Sequence, residues 1–219
     1  MIGQAISRNS LLLGVFAVVA TGVIAATHLG TKDRIAEQIR AARERALLEI
    51  VPARRHNNAM LDTTLPITDS DLLNLAAEGK IFIALQDANP VAFVFPSVAP
   101  DGYSGAIELL VGVNADGSIA GVRTVQHEET PGLGDKVDLR KSDWILGFNS
   151  RSLGDPEPAR WKVTKDKGVF NQFTGATITP RAVTKAVYQT LEYYRLHNEE
   201  LLAHARTAIT AVEKTNDGE

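Results

Sequence analysis

The chain has 219 residues, enough for one domain with a substantial core plus an appended segment. Its 23 Lys and Arg against 26 Asp and Glu leave a formal net charge of -3, so no basic face for nucleic acid is expected. Cysteine is absent, which excludes disulfides, iron–sulfur clusters, thiol catalysis and thioether-linked haem; redox chemistry would need an organic cofactor or a metal held without thiolate. His28, His56, His127, His197 and His204 are scattered without a close ligand pair, and no metal site is expected.

Residues Leu11 to Thr27, LLLGVFAVVATGVIAAT, carry no charge. With their flanks they approach the ~20 residues that cross a bilayer as a helix. A cleavable signal peptide is the rival, with small residues at Ala25 and Ala26, but the apolar run exceeds a typical signal core and an uncleaved anchor is favoured. Charge leaves orientation open. Arg8 precedes the span and Lys32, Arg34, Arg40 and Arg43 follow it, interspersed with Asp33, Glu37 and Glu44.

TKDRIAEQIRAARERALLEI reads as a helix with Ile35, Ile39, Ala42 and Ala46 on one face, ended by Pro52, a stalk with a solvated charged face. DSDLLNLAAEG, Asp69 to Gly79, suits a short helix or a loop edge. IFIALQ and VAFVF read as two strands around the turn Asp87 to Pro90. GYSGAIELLVGV then alternates Ile107, Leu109, Val111 and Val113 on one strand face; Asn114-Ala-Asp116-Gly117 turns, and SIAGVRTVQH returns as the partner.

The hairpin leads into HEETPGLGDKV, His127 to Val137, where Pro131, Gly132 and Gly134 cannot continue a strand. Such a loop is either a plain tight turn or a place where backbone comes close to a flat ligand. It is no dinucleotide fingerprint, lacking the third glycine and the following helix. Trp144 and Trp161 flank a connector containing GDPEP and are expected in the core. Val183, Ala186, Val187, Thr190, Leu191 and Tyr194 form a core-facing helical stripe, and a further helical stretch starts at Asn198.

NQFTGATITPRAV, Asn171 to Val183, concentrates Thr174, Thr177 and Thr179 at the start of that helix. Thr179 suits an N-cap and Pro180 the first helical position. Thr177, two residues earlier, lies where unpaired N–H groups and the helix dipole stabilise a phosphate. Arg181 and Lys165 or Lys167 are cations near enough in sequence to neutralise one, and Gly175 and Ala176 keep the approach open. The alternative is a cap with incidental hydroxyls.

TGAT, Thr174 to Thr177, resembles the S/T-G-A-T flavinylation motif of FMN-binding domains, which occur in Rnf ion-translocating electron transport complexes and in sodium-pumping quinone reductases. GYSGAIELLVGVNADGSIAGV and HEETPGLGDKV agree with that family in the expected order. The single anchor, the length and the lack of cysteine are similar to the G subunits of Rnf complexes. The resemblance covers nearly the whole chain and is strongest from Gly102 to Val183. One position departs: where the motif usually has Asp three residues before its S/T, this chain has Asn171.

The resemblance implies an α+β fold, an N-terminal transmembrane helix followed by one FMN-binding domain with a twisted, largely antiparallel sheet and flanking helices. The division expected is a short tail (1–8), an anchor (9–30), a juxtamembrane helix (31–52), first strands and helix of the body (53–100), an FMN-binding core (101–183), and a C-terminal helical segment and tail (184–219). It implies FMN joined by a phosphoester to Thr177, installed by a flavin transferase that uses FAD and magnesium. Thr174, Gly175 and Ala176 would flank the attachment. Glu129, Thr130, Gly132, Leu133 and Gly134 would line the isoalloxazine, their N–H groups and the Thr130 hydroxyl bonding its ring, with Lys136 beside a reduced, anionic flavin. The expected role is an electron carrier in a bacterial inner membrane complex, with the body in the periplasm, rather than an enzyme with its own substrate pocket. Partners would be the other subunits, the transferase and the lipid bilayer. The alternative is a membrane-anchored binding or assembly module without covalent cofactor; a phosphate-ester hydrolase finds no histidine or carboxylate cluster near Thr177.

Overall fold

A computed structural model of the chain describes residues 2–67 and 70–216, with side chains described over 9–67 and 70–206. Two compact units emerge, residues 1–43 and 44–219. The described residues of the first unit are all helical. Helix α1 runs Ile2–Ile50 without a break, so the expected anchor and juxtamembrane helix are one element. Among the described residues α1 is the one helix long and apolar enough to cross a membrane. Leu11, Phe16, Val18 and Ile24 are exposed along it. The hydroxyls of Thr27 and Thr31 fold back onto the carbonyls of Val23 and Thr27, each at 2.8 Å. That is how such groups are satisfied on a helix in an apolar medium.

The second unit is built on a five-stranded antiparallel sheet in the order β1 (Thr64–Pro66), β2 (Lys80–Gln86), β3 (Asn89–Ala99), β4 (Ile107–Asn114), β5 (Ile119–Gln126). The two strand pairs read from alternation are β2–β3 and β4–β5, and the intervening β3–β4 pairing makes them one meander. β1 is short and carries Pro66, as suits an edge. The 69–79 stretch forms turns rather than a helix over its described part; Asp69 itself lies outside the described residues. The turn between β4 and β5 closes by Gly117 N–H donating to the Asn114 carbonyl at 2.9 Å, with Gly117 at φ +85°.

Alternation buries both faces. Ile81, Ile83, Phe93, Phe95, Ile107, Leu109, Val111 and Val113 face one core, and Phe82, Ala84, Ala92, Val94 and Leu110 the other. Helix α2 (Ile178–Asn216) covers the first face with the predicted stripe and does not break at Asn198. Its docking is aromatic: Tyr193 meets Phe95 edge-on at 5.7 Å and Tyr194 lies 5.9 Å from Phe93. The Tyr194 hydroxyl donates to the Ala115 carbonyl at 3.0 Å, and burial raises its pKa.

The last turns of α1 seat on the second face. Leu47, Ile50 and Val51 are buried there, which the charged pattern of that helix did not announce. Gly112 and Gly121 are register partners, and both lie under Ile50. Arg123 clamps the helix end, donating to the Glu49 carboxylate at 2.8 Å and to its carbonyl at 3.1 Å. A Cβ at Gly112 would stand 2.2 Å from Ile50 Cγ2. Gly112→Ala should therefore destabilise the full chain by about 1–3 kcal/mol. Ile50→Leu, which removes that branched methyl, should recover part of the loss in the double variant; thermal melts of the detergent-purified protein check it, and purely additive losses would refute the contact.

Candidate functional site

Residues 171–177 form a short loop with buried roots. Phe173 is 7 % exposed and packs edge-on against Trp144 at 5.1 Å, and the Trp144 indole N–H donates to the Asn171 carbonyl at 2.6 Å. Trp144 and Trp161 both join the aromatic cluster of Phe148, Phe170 and Phe173, as expected of core residues. The chain then turns through Thr174 and Gly175, with Ala176 N–H donating to the Phe173 carbonyl at 3.1 Å. Gly175 has φ +81°, the value that the third residue of a type II turn requires and that glycine supplies without strain. This requirement gives the glycine of TGAT a backbone reason.

Helix α2 begins at Ile178, and Arg181 N–H donates to the Thr177 carbonyl at 3.3 Å. Thr177 is thus the residue immediately before the helix, and Pro180 is the third helical residue, not the first. This corrects the expectation that Thr179 caps the helix. The Thr179 side chain instead turns inward, and its hydroxyl donates to Glu129 Oε2 at 2.5 Å. The N–H groups of Ile178 and Thr179 have no carbonyl one turn back, and Pro180 has no N–H at all. No acidic side chain lies in this first turn. Among the described residues the hydroxyls of Thr174 and Thr177 make no hydrogen bond, whereas those of Thr164, Thr179, Thr184 and Thr190 are all spent. Thr174 is exposed and Thr177 half-buried.

The second loop follows β5. Thr130 organises it, its carbonyl accepting from the N–H groups of Leu133 and Gly134 at 3.1 Å each and from Asp135 at 3.4 Å. Gly132 N–H donates to Asp135 Oδ1 at 2.8 Å. Most N–H groups expected to reach a flavin ring are therefore used within the loop. Thr130 keeps its own N–H and hydroxyl without a partner among the described residues. Gly132, at φ +79°, and Leu133 form the exposed tip, while Gly134 is buried.

The two loops meet. A Cβ on Gly175 would lie 3.6 Å from Leu133 Cδ2, and one on Gly134 would stand 2.4 Å from Glu129 Oε2 and 2.8 Å from Thr179 Oγ1. Glu129, Leu133, Gly134, Gly175 and Thr179 are so brought together, with Thr177 two residues from Thr179. Leu133 and Ile178 present apolar surface, 42 % and 44 % exposed. Lys136 is half-buried and makes no side-chain bond among the described residues. Arg181 is engaged with Asp166 at 2.7 and 2.9 Å, and this fork holds the Asp166 carboxyl below its ordinary pKa. Lys165 and Lys162 add to the positive field on Asp166.

Three contributors went unread in the sequence. Ser104 donates its N–H to Glu129 Oε1 at 3.1 Å, Asp135 braces Gly132, and His127 Nδ1 accepts the Glu129 N–H at 3.2 Å. Only the acidic and hydroxyl letters within the motifs hinted at them. Among the described residues no cluster of side chains suits a metal.

The arrangement fits a phosphorylated, flat-ringed group. Among the described residues, an unbonded hydroxyl stands at a helix start whose first N–H groups have no partner within the helix, a glycine keeps its approach free of a side chain, and apolar surface lies beside it. The sequence profile of the FMN-binding domain matches residues 102–192, and that of the RnfG N-terminal region matches residues 1–50. The chain is 50 % identical over 201 residues to the G subunit of an ion-translocating oxidoreductase complex of Pseudomonas aeruginosa strain UCBPP-PA14, covering 92 % of this chain and 94 % of that protein. The like-named proteins of Shewanella loihica and Vibrio cholerae are 45 % and 43 % identical, covering 91 % and 90 % of this chain and 94 % of each relative. The chain belongs to the family of G subunits of the Rnf ion-translocating oxidoreductase complexes, and its body carries the FMN-binding domain of that family.

Proposed function

We propose that the Thr177 hydroxyl carries FMN through a phosphoester and that the protein relays electrons between subunits of an ion-translocating ferredoxin/NAD complex. The observation that carries this is the state of Thr177: unbonded among the described residues, half-buried, and placed at the first residue before α2. A transferase supplied with FAD and magnesium would form the bond from the Thr177 Oγ to the FMN phosphorus. AMP would leave as the FAD pyrophosphate breaks, and the hydroxyl proton would pass to base or solvent. Nothing is oxidised in that step.

The chain's residues divide the work around this attachment. The phosphodiester keeps one negative charge, favoured by the N–H groups of Ile178 and Thr179 and by the helix dipole. Gly175 and Ala176 leave room for the phosphate, and Thr174 stands exposed beside them. Leu133 and Ile178 offer surface to a flat ring, with the N–H and hydroxyl of Thr130 as bonding groups. Gly132, Gly134 and Lys136 complete the proposed site: the two glycines keep the loop close, and Lys136 supplies a cation. Bound FMN supplies reversible one- and two-electron transfer, and the protein's part is to hold and tune it. The protein is in this view a carrier rather than an enzyme by itself.

We place α1 in the bacterial inner membrane as a single pass, within reach of the other subunits, and the body on the periplasmic side. The full-length protein, purified from cells with the transferase and denatured on a gel, should show flavin fluorescence under ultraviolet light. Thr177→Ala should lose that signal. A dark wild-type band, or a bright Thr177→Ala band, would sink the assignment. For orientation, a reporter that is active only in the cytoplasm, fused after Glu219, should stay silent, and an active fusion would put the body on the other side.

A further inference from the structure

The exposed run Thr174 to Ile178 hangs between two buried anchors. On one side Phe173 is held by Trp144 at 5.1 Å. On the other, Thr179 is fully buried and bonded to Glu129. Glu129 itself is only 4 % exposed, and both its oxygens point into protein: Oε1 accepts from Ser104 N–H at 3.1 Å and Oε2 from the Thr179 hydroxyl. Two glycines make room for this carboxylate. A Cβ at Gly102 would stand 2.9 Å from Oε1 and one at Gly134 2.4 Å from Oε2. The three segments that carry the family resemblance, around Gly102, Glu129 and Thr177, therefore converge on one side chain.

We infer that Glu129 is a positioning residue for the modification of Thr177, acting through Thr179, and not a residue that touches the flavin. This rests on Thr177 being the attachment site. With both oxygens bonded within the protein, to Ser104 and Thr179, and only 4 % of the residue exposed, the carboxylate faces the interior rather than a ring. What it does have is the side chain two residues beyond Thr177, at the point where the helix starts. Fixing Thr179 fixes the first turn of α2, and with it where the Thr177 hydroxyl stands relative to Leu133 and Gly175. Without the bond, the tie between the helix start and the loop after β5 that lies nearest Thr177 is gone.

The substitution Glu129→Gln separates positioning from any role of a carboxylate as such. A glutamine can accept from Ser104 N–H with Oε1 and donate to the Thr179 hydroxyl with Nε2, because that hydroxyl can turn from donor to acceptor. Glu129→Ala offers neither contact, and Thr179→Val removes the hydroxyl while keeping the shape.

The experiment incubates full-length protein, purified in detergent without flavin, with the transferase, FAD and magnesium, and follows covalent flavin with time. Backbone hydrogen exchange over 174–182 is measured on the same flavin-free samples. Glu129→Ala and Thr179→Val should each slow attachment by about tenfold or more. Both should speed exchange in that segment, and the double variant should be no worse than the worse single one, since both remove the same bond. Glu129→Gln should stay within about threefold of wild type in attachment, a rescue that the proton-neutral amide permits. Attachment and exchange unchanged in Thr179→Val would overturn the proposal even if Glu129→Ala failed to fold. So would Glu129→Gln behaving as Glu129→Ala, since that would show that attachment needs the carboxylate charge and not the bonds to Ser104 and Thr179. A wild-type protein that takes up no flavin would defeat the Thr177 assignment instead, and hydrogen exchange would still decide whether Glu129 holds the helix start.

Discussion

The bond between a buried carboxylate and a buried hydroxyl, Glu129 to Thr179, is the constraint around which the site is arranged. It joins the loop that follows the β4–β5 hairpin to the start of α2, across 50 residues of sequence. Burying such polar groups is costly unless each finds a partner, and here each does. At 102 a side chain would meet both the carboxylate and the Gly105 carbonyl, while the glycine at 134 follows from the same constraint, because a side chain there would occupy the space the carboxylate needs. So does the inward turn of Thr179, which leaves Thr177 rather than Thr179 at the exposed entry to the helix.

Period and turn chemistry made much of the fold legible. The 107–113 alternation, the Asn114 to Gly117 turn and the 183–194 stripe all appear as read, because both signals report a face that must be buried. The helix joints were less legible. An apolar run followed by a charged amphipathic run looks like two elements, yet a lone glycine at their junction, Gly30, does not break the backbone, and α1 continues to Ile50. The burial of Leu47 and Ile50 depends on two glycines some sixty residues away that leave a hollow in the sheet, a coincidence no local pattern contains.

The site divides along the same line. Gly175 and its threonine neighbours were visible because a type II turn and a helix start have local requirements. The cap was misplaced by two residues, since Thr-Pro at the first helical position is a sound local rule that a distant carboxylate overrides. The residues alone leave the loop around Gly132 open between a plain tight turn and a backbone that approaches a ligand, and in the fold Thr130 and Asp135 satisfy most of its N–H groups from within. Its glycines serve close approach between protein segments as much as approach to a ligand. A tightly bonded loop also holds its tip, Leu133, in place, as the proposed contact with a rigid ring requires.

Asn171 is gripped by its main chain: Trp144 bonds to its carbonyl, while its side chain is exposed and makes no hydrogen bond among the described residues. Any of the ordinary amino acids could present that carbonyl. The bond that holds the loop is thus independent of the letter at 171, and the side chain there is open to whatever molecule approaches from outside.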